Sequence, residues 1–226
     1  MNQKLLLLPL LISILLPVQA QRIHAYATAG TITSQIEGDE LKGFNHWGFA
    51  GGVGAIADLD NHDTWSLAIE TAYSCRGIYN HKYSPSNYYN IDLNLHYIDI
   101  PLTLFFRDPY GGLHIGVGMV YSRLVRQPHG TGTFNPDYFI PDTTDLTFLK
   151  NDLAPAIEFR FNIWRQLQFS ARYQYSIIPI KRDWHFTFAG NTYSNNFYGS
   201  SLTFRLLWQF GDDDSHKYSK YKTRRR

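Results

Sequence analysis

From Ile98 onward the chain sorts itself by parity. Ile98, Ile100, Leu102, Leu104 and Phe106 share one face, while Asp99, Pro101, Thr103 and Phe105 share the other. A period of two is the mark of a strand, and about nine to eleven residues is the length at which a tilted strand crosses a bilayer. The stretch Leu93 to Arg107 therefore predicts a membrane-crossing strand with its aliphatic face on lipid. The same alternation predicts strands over 47–59, 64–76, 112–126, 153–163, 167–176 and 198–210. Residues 23–36, rich in Ala, Thr and Gly, are patterned only weakly and are read as the first strand by position.

The connections alternate in length. Short turns are expected at 61–63, 108–111 and 164–166, and longer polar-aromatic loops at 37–46, 77–89, 127–152 and 181–195. Short turns on one side and long loops on the other are the habit of outer-membrane barrels, in which the short side is periplasmic. A bilayer admits only helices or closed barrels, because every backbone group must be paired within the protein. No segment after residue 20 is long and apolar enough to be a spanning helix. The expected fold is thus all-β: an eight-stranded antiparallel up-and-down transmembrane β-barrel, located in a bacterial outer membrane with both mature termini in the periplasm.

Residues 1–20 read as a signal peptide, with Lys4, an apolar run from Leu5 to Leu16 and small side chains at Val18 and Ala20. The barrel is assigned to 21–210 and a charged, disordered periplasmic tail to 211–226. Mean hydropathy is −0.30, a soluble-looking average that conceals equal numbers of lipid-facing and lumen-facing positions. Without Lys4 the chain has 20 basic and 19 acidic residues. That near balance excludes the broad basic surface of a nucleic-acid binder. With Cys75 as its only cysteine, the chain can hold no internal disulfide, and the parity of Cys75 points it to lipid.

The run Leu95-His96-Tyr97-Ile98-Asp99-Ile100-Pro101-Leu102-Thr103-Leu104 resembles the Leu-x-Tyr-Ile/Leu-Glu-Ile-Pro-Leu-x-Leu signature of the PorT-like outer-membrane β-barrel family of Bacteroidetes. Glycine-rich second and fifth strands and the aromatic end at Phe210 are also similar to that family, and the likeness covers about Ile23 to Phe210. Asp99 stands where the family usually has Glu, which keeps an inward carboxylate, and the tail past Phe210 departs from the usual pattern. The resemblance implies a barrel fold and, for some members, service in type IX secretion and gliding.

Lumen parity collects Glu70, Arg76, Asp99, His114, Glu158, Arg160, Arg172 and Arg205. These are expected to be a network of paired charges filling an interior only wide enough for side chains, rather than an ion path or an acid/base site. His96, beside Asn94 and Asp92 on the outward parity, is the one arrangement that suggests a lipid-modifying enzyme. No HxH or HxxxH spacing exists, so no metal is expected, and no cofactor is expected either. Tyr79, Tyr83, Tyr88, Tyr89, Tyr138, Phe139, Tyr193 and Phe197 gather in or beside the long loops. They are read partly as an interfacial girdle and partly as a loop interaction surface centred on Tyr83, Tyr88, Tyr89, Tyr138, Phe139 and Tyr193. In the tail, Asp212–Asp214 precede Lys217, Lys220, Lys222 and Arg224–Arg226, a solubilising extension or an electrostatic contact with a partner or lipid. The expected partners are outer-membrane lipid and envelope or secretion-complex proteins. The functional expectation is a non-enzymatic structural or accessory component of a cell-envelope complex, with a stand-alone adhesin-like barrel as the alternative.

Overall fold

The computed structural model describes residues 23–37, 43–60, 62, 64–80, 89–108, 112–134, 139–141, 147–188 and 191–211. The expected signal peptide and all of the tail but Gly211 lie outside the described residues. The strands are β1 (Ile23–Glu37), β2 (His46–Asp58), β3 (Trp65–Asn80), β4 (Tyr89–Arg107), β5 (Leu113–Phe134), β6 (Phe139–Pro141), β7 (Asn151–Trp164), β8 (Leu167–Tyr175), β9 (Lys181–Phe188) and β10 (Asn191–Gln209). Eight of them, in the order β1-β2-β3-β4-β5-β7-β8-β10, make an antiparallel sheet that closes where β10 pairs with β1 from Tyr26↔Gln209 to Glu37↔Tyr198. Closure leaves this sheet no free edge.

Parity sets which side chains face out. Leu102 is 48% exposed and Val117 57%, while Glu158 and Phe105 are 0% exposed. Along the middle of most barrel strands the outward positions form an apolar belt, including Ile69, Ile100, Leu102, Ile115, Val117, Ile157, Phe159 and Leu206. Toward the termini that belt ends in Trp65, Phe106, Trp164 and Trp208, and toward the long loops in Tyr73, Tyr121 and Tyr173. Two aromatic rims around an apolar band mark a wall that faces lipid and meets water at both edges.

Inside, small residues make room for large ones. A β-carbon at Gly54 would lie 2.5 Å from the Tyr26 ring, and one at Gly116 would lie 2.5 Å from Phe105. The glycines of β2 and β5 thus admit the two aromatic side chains that fill the end near the termini. β1 reads weakly in sequence because it reverses the usual sizes: Tyr26, Ile32 and Ile36 point inward and are buried, while Ala and Thr take the outer positions.

Past the tyrosine rim the polarity of the wall inverts. Leu93, Leu95, Tyr97, Ile78, Ile36, Leu124 and Phe197 turn inward and join Phe148 and Ile180 in an apolar plug. Positions facing out at this height include Gln35, Glu37, Asn94, His96, Arg123 and Arg126. Outward residues here meet water or headgroups, so polar side chains suit them, and the lumen still has to be filled.

Strand pairing continues well past the belt. The loops expected at 77–89, 127–152 and 181–195 are shorter than expected, because β3, β4 and β5 extend through Asn80, from Tyr89 and through Phe134. β9 and the start of β10 occupy most of the fourth expected loop, and β6 joins β9 in a small additional sheet at this end. Lipid-facing apolar alternation stops at the membrane edge, whereas backbone pairing needs no outward hydrophobic pattern to go on.

Candidate functional site

The lumen charges sit on adjacent strands at matching register. Glu158 of β7 pairs across from Arg172 of β8, and Arg160 and Arg205 flank Ser170 from either side. Glu158 Oε1 accepts from Arg160 Nε at 2.6 Å, Ser170 Oγ at 2.7 Å and Arg205 Nη2 at 3.5 Å. Its other oxygen accepts from Arg172 Nε at 2.7 Å. Glu70, reaching in from β3, takes Arg172 Nη2 at 3.1 Å, Thr28 Oγ1 at 3.2 Å and Tyr26 OH at 3.3 Å, and is also bonded by Arg205. The Arg160 guanidinium lies 4.9 Å from the Tyr26 ring centre and 4.3 Å from that of Phe105. Every carboxylate oxygen in this layer is thus occupied by donors, which is what makes two buried carboxylates tolerable beside three arginines.

A second layer lies nearer the plug. Arg76 donates to Asp99 at 2.6 Å, to Ser122 Oγ at 3.2 Å and to Asp152 at 3.5 Å. With its amide oxygen turned to Arg76, Gln174 accepts from both terminal nitrogens at 2.7 and 3.0 Å. Tyr97 covers the guanidinium, 4.9 Å from ring centre to Cζ. Beside this layer, Arg76, Asp152, Tyr97, Ser34 and Ser200 line a cavity of about 10 Å³, room for about one water. A third layer, near the termini, sets Asp58 within 3.8 Å of Arg107 and 4.0 Å of His24.

All eight charged positions expected in the lumen are buried. Seven of them fall in the first two layers. His114 stands apart: it pairs across from Arg107, and neither ring nitrogen has a hydrogen-bond partner among the described residues. Asp58 carried the inward parity but was left out of the expected network, and Arg107 and Asp152 were missed. Arg107 lies at the end of its expected strand on the parity of Asp99 and Phe105, and Asp152 continues the parity of Glu158 one residue before its own, so reading parity to the strand ends would have found both.

Of the expected loop surface, Tyr83, Tyr88 and Tyr138 lie outside the described residues. Tyr89, Phe139 and Tyr193 fall on β4, β6 and β10 at the long-loop end. Phe197 is a correction, because it is buried in the plug rather than displayed on a loop. It shares the inward parity of Ser201 and Thr203, continued past the membrane edge.

His96 does face outward, but its described partner is the Tyr73 hydroxyl, 2.6 Å from Nδ1. Asn94 Oδ1 instead accepts from His46 Nε2 at 2.8 Å, and the Cys75 thiol donates to the same oxygen at 3.7 Å. No group of three or more His, Cys, Asp or Glu side chains converges to hold a metal among the described residues. Chemically, the lumen is a charge-balanced filling.

No curated protein matches the chain. Among solved structures, it is similar to Ail of Yersinia pestis, at 16% identity over 83% of this chain and 98% of that one, with a TM-score of 0.43. It is also similar to Neisserial surface protein A, at 13% identity over 85% and 100% of the two chains, with a TM-score of 0.46. A third similarity is to OprG of Pseudomonas aeruginosa, at 13% identity over 84% and 95%, with a TM-score of 0.32. Likenesses this distant carry no function across. The model of the outer membrane protein beta-barrel domain matches residues 6–210, a span that includes the whole closed barrel with its lipid-facing belt, and the chain belongs to that family.

Proposed function

We propose that this outer-membrane barrel is a non-enzymatic structural or accessory component of a cell-envelope complex. Its long-loop end faces outward and both termini face the periplasm. The observation that carries this reading is the filling of the lumen, with paired charges in three layers and an apolar plug above them. A barrel whose described lumen is filled by paired charges and an apolar plug has its outer wall and its projecting strands left to work with. The resemblance of Leu95–Leu104 to the PorT-like signature of Bacteroidetes favours a secretion-related assembly of the type IX kind.

Purification of the full chain in mild detergent tests this. A component brings other envelope proteins with it in fixed proportion; recovery of a solitary barrel contradicts the proposal. The adhesin-like alternative draws on the β4–β5 ribbon and the β6–β9–β10 sheet, which project a strand-built platform beyond the tyrosine rim. A solitary barrel that binds surface glycans through residues 127–141 would favour that alternative. Lipid modification through His96 is the least supported, since a tyrosine and not an acid or serine lies against its ring nitrogen. The expected lipid A profile of a His96→Ala strain is that of the parent.

A further inference from the structure

On the outer wall just past the tyrosine rim, one sector of the barrel is basic. Register pairs run Tyr73↔Ile98, Ile98↔Arg123 and Arg123↔Asn151 across β3, β4, β5 and β7, with Arg126 opposite His96. In simple alternation Arg123 and Arg126 would face opposite sides. A register shift after His96 inserts an extra β5 residue, so that Leu124 stays buried while Arg123, Val125 and Arg126 are all exposed. Bulges of this kind re-aim side chains. Lys150, also exposed, adjoins Asn151.

This sector is built to hold its cations in place. Asn151 Oδ1 accepts from Arg123 Nη1 at 2.7 Å and from Tyr121 OH at 2.9 Å. That bond fixes the guanidinium at the rim and leaves its remaining donors free. None of Arg123, Arg126 and Lys150 forms an ion pair with a described carboxylate. Asp99 and Asp152 on the neighbouring strands are buried in the lumen and committed to Arg76. At the same end the acidic Glu37 stands on the opposite side of the barrel, bonded by Tyr175 at 3.0 Å. Immediately toward the membrane lie Ile100, Met119 and Tyr121, an apolar surface suited to acyl chains.

We propose that Arg123, Arg126 and Lys150 bind the phosphate of an outer-leaflet glycolipid of the lipid A type, whose acyl chains lie along β4, β5 and β7. Guanidinium groups match phosphate geometry bidentately. Arginines without a described carboxylate partner at headgroup height, directly above an apolar wall, face both halves of such a molecule at once. The inference rests on the proposed orientation, which sets this rim in the outer leaflet.

The test uses the full chain in nanodiscs, with retained lipid counted by native mass spectrometry. The probes are bisphosphorylated lipid A, the same lipid A stripped of phosphate, phosphatidylglycerol, and inorganic phosphate as competitor. Wild type is expected to retain the bisphosphorylated form best. The double variant Arg123→Gln/Arg126→Gln is expected to lose about 10- to 30-fold in affinity for it, the effect of two cations near an anionic surface. Arg165→Gln, in the β7–β8 turn, is expected to behave as wild type. Heat-dependent gel mobility verifies that each variant is folded. Equal retention of stripped and phosphorylated lipid A, or an unaffected double variant, overturns the proposal. Displacement by inorganic phosphate would mean a free-anion site, and equal binding of phosphatidylglycerol would mean no glycolipid preference; either outcome overturns it too. An antibody epitope placed at 135–138 and probed on intact cells reports the orientation separately. Failure of that arm sinks the orientation, and failure of the lipid arm alone sinks only this inference.

Discussion

Glu158 shows how much rests on single side chains inside this barrel. It is the shared acceptor of Arg160, Arg172 and Arg205, and Glu70, the other carboxylate of the layer, is already bonded by Arg172 and Arg205. Glu158→Leu is therefore expected to destabilise by about 3–5 kcal/mol, the usual cost of leaving a buried ionic partner uncompensated, as read from urea unfolding in detergent micelles. Gly116→Val tests packing at the same scale, because its side chain would enter the space of the Phe105 ring. A loss of about 1–3 kcal/mol is expected, as for other overpacked interiors. An unchanged midpoint would mean that Phe105 does not lean on β5. Parity made seven of the eight expected network residues legible, since each sits mid-strand between unmistakable outward neighbours. It could not reveal that Arg160 would lie between the Tyr26 and Phe105 rings, because that contact crosses the lumen between strands far apart in sequence.

At the scale of elements, the β2–β3 turn is held by Asp60, whose Oδ1 accepts from the backbone N–H of Thr64 at 2.8 Å and of Trp65 at 3.0 Å. Slight burial acts to raise the Asp60 pKa, and those N–H bonds outweigh it, so the carboxyl titrates below the usual carboxylate range. A folded-state pKa below the unfolded value stabilises at pH above the unfolded value, and the benefit fades as pH falls through the folded one. The difference in unfolding midpoint between wild type and Asp60→Ala should therefore be present at neutral pH and shrink in acid. A difference that stays constant down the titration would mean the charge has no part in the turn. The membrane-crossing portions of the strands were legible because their period of two is strict. Their extensions were not. At Leu93 and Leu95 the apolar alternation moves to the opposite parity from Ile98 and Ile100 and points inward, and alternation alone does not say that the wall has passed from lipid to water there. The bulge that brings out Arg126 is equally silent in sequence, since an extra residue in a strand leaves no compositional trace.

At the scale of the whole fold, five buried carboxylates among the described residues (Asp58, Glu70, Asp99, Asp152 and Glu158) face five buried arginines (Arg76, Arg107, Arg160, Arg172 and Arg205), and an apolar plug lies beyond them. A lumen so filled should conduct no ions: planar bilayers containing the full chain are expected to show no discrete conductance steps, and steps of porin size would contradict the filling. All of this presumes that the greasy face of each strand looks out to hydrocarbon. Nitroxide labels at Leu102 and Val117 in lipid bilayers, scored for collision with oxygen against a water-soluble nickel chelate, measure that sidedness directly. Both labels should meet oxygen freely and the chelate hardly at all. Labels that meet the chelate freely, or that neither reagent reaches, would place those side chains in water or in a protein interior and contradict the membrane barrel itself.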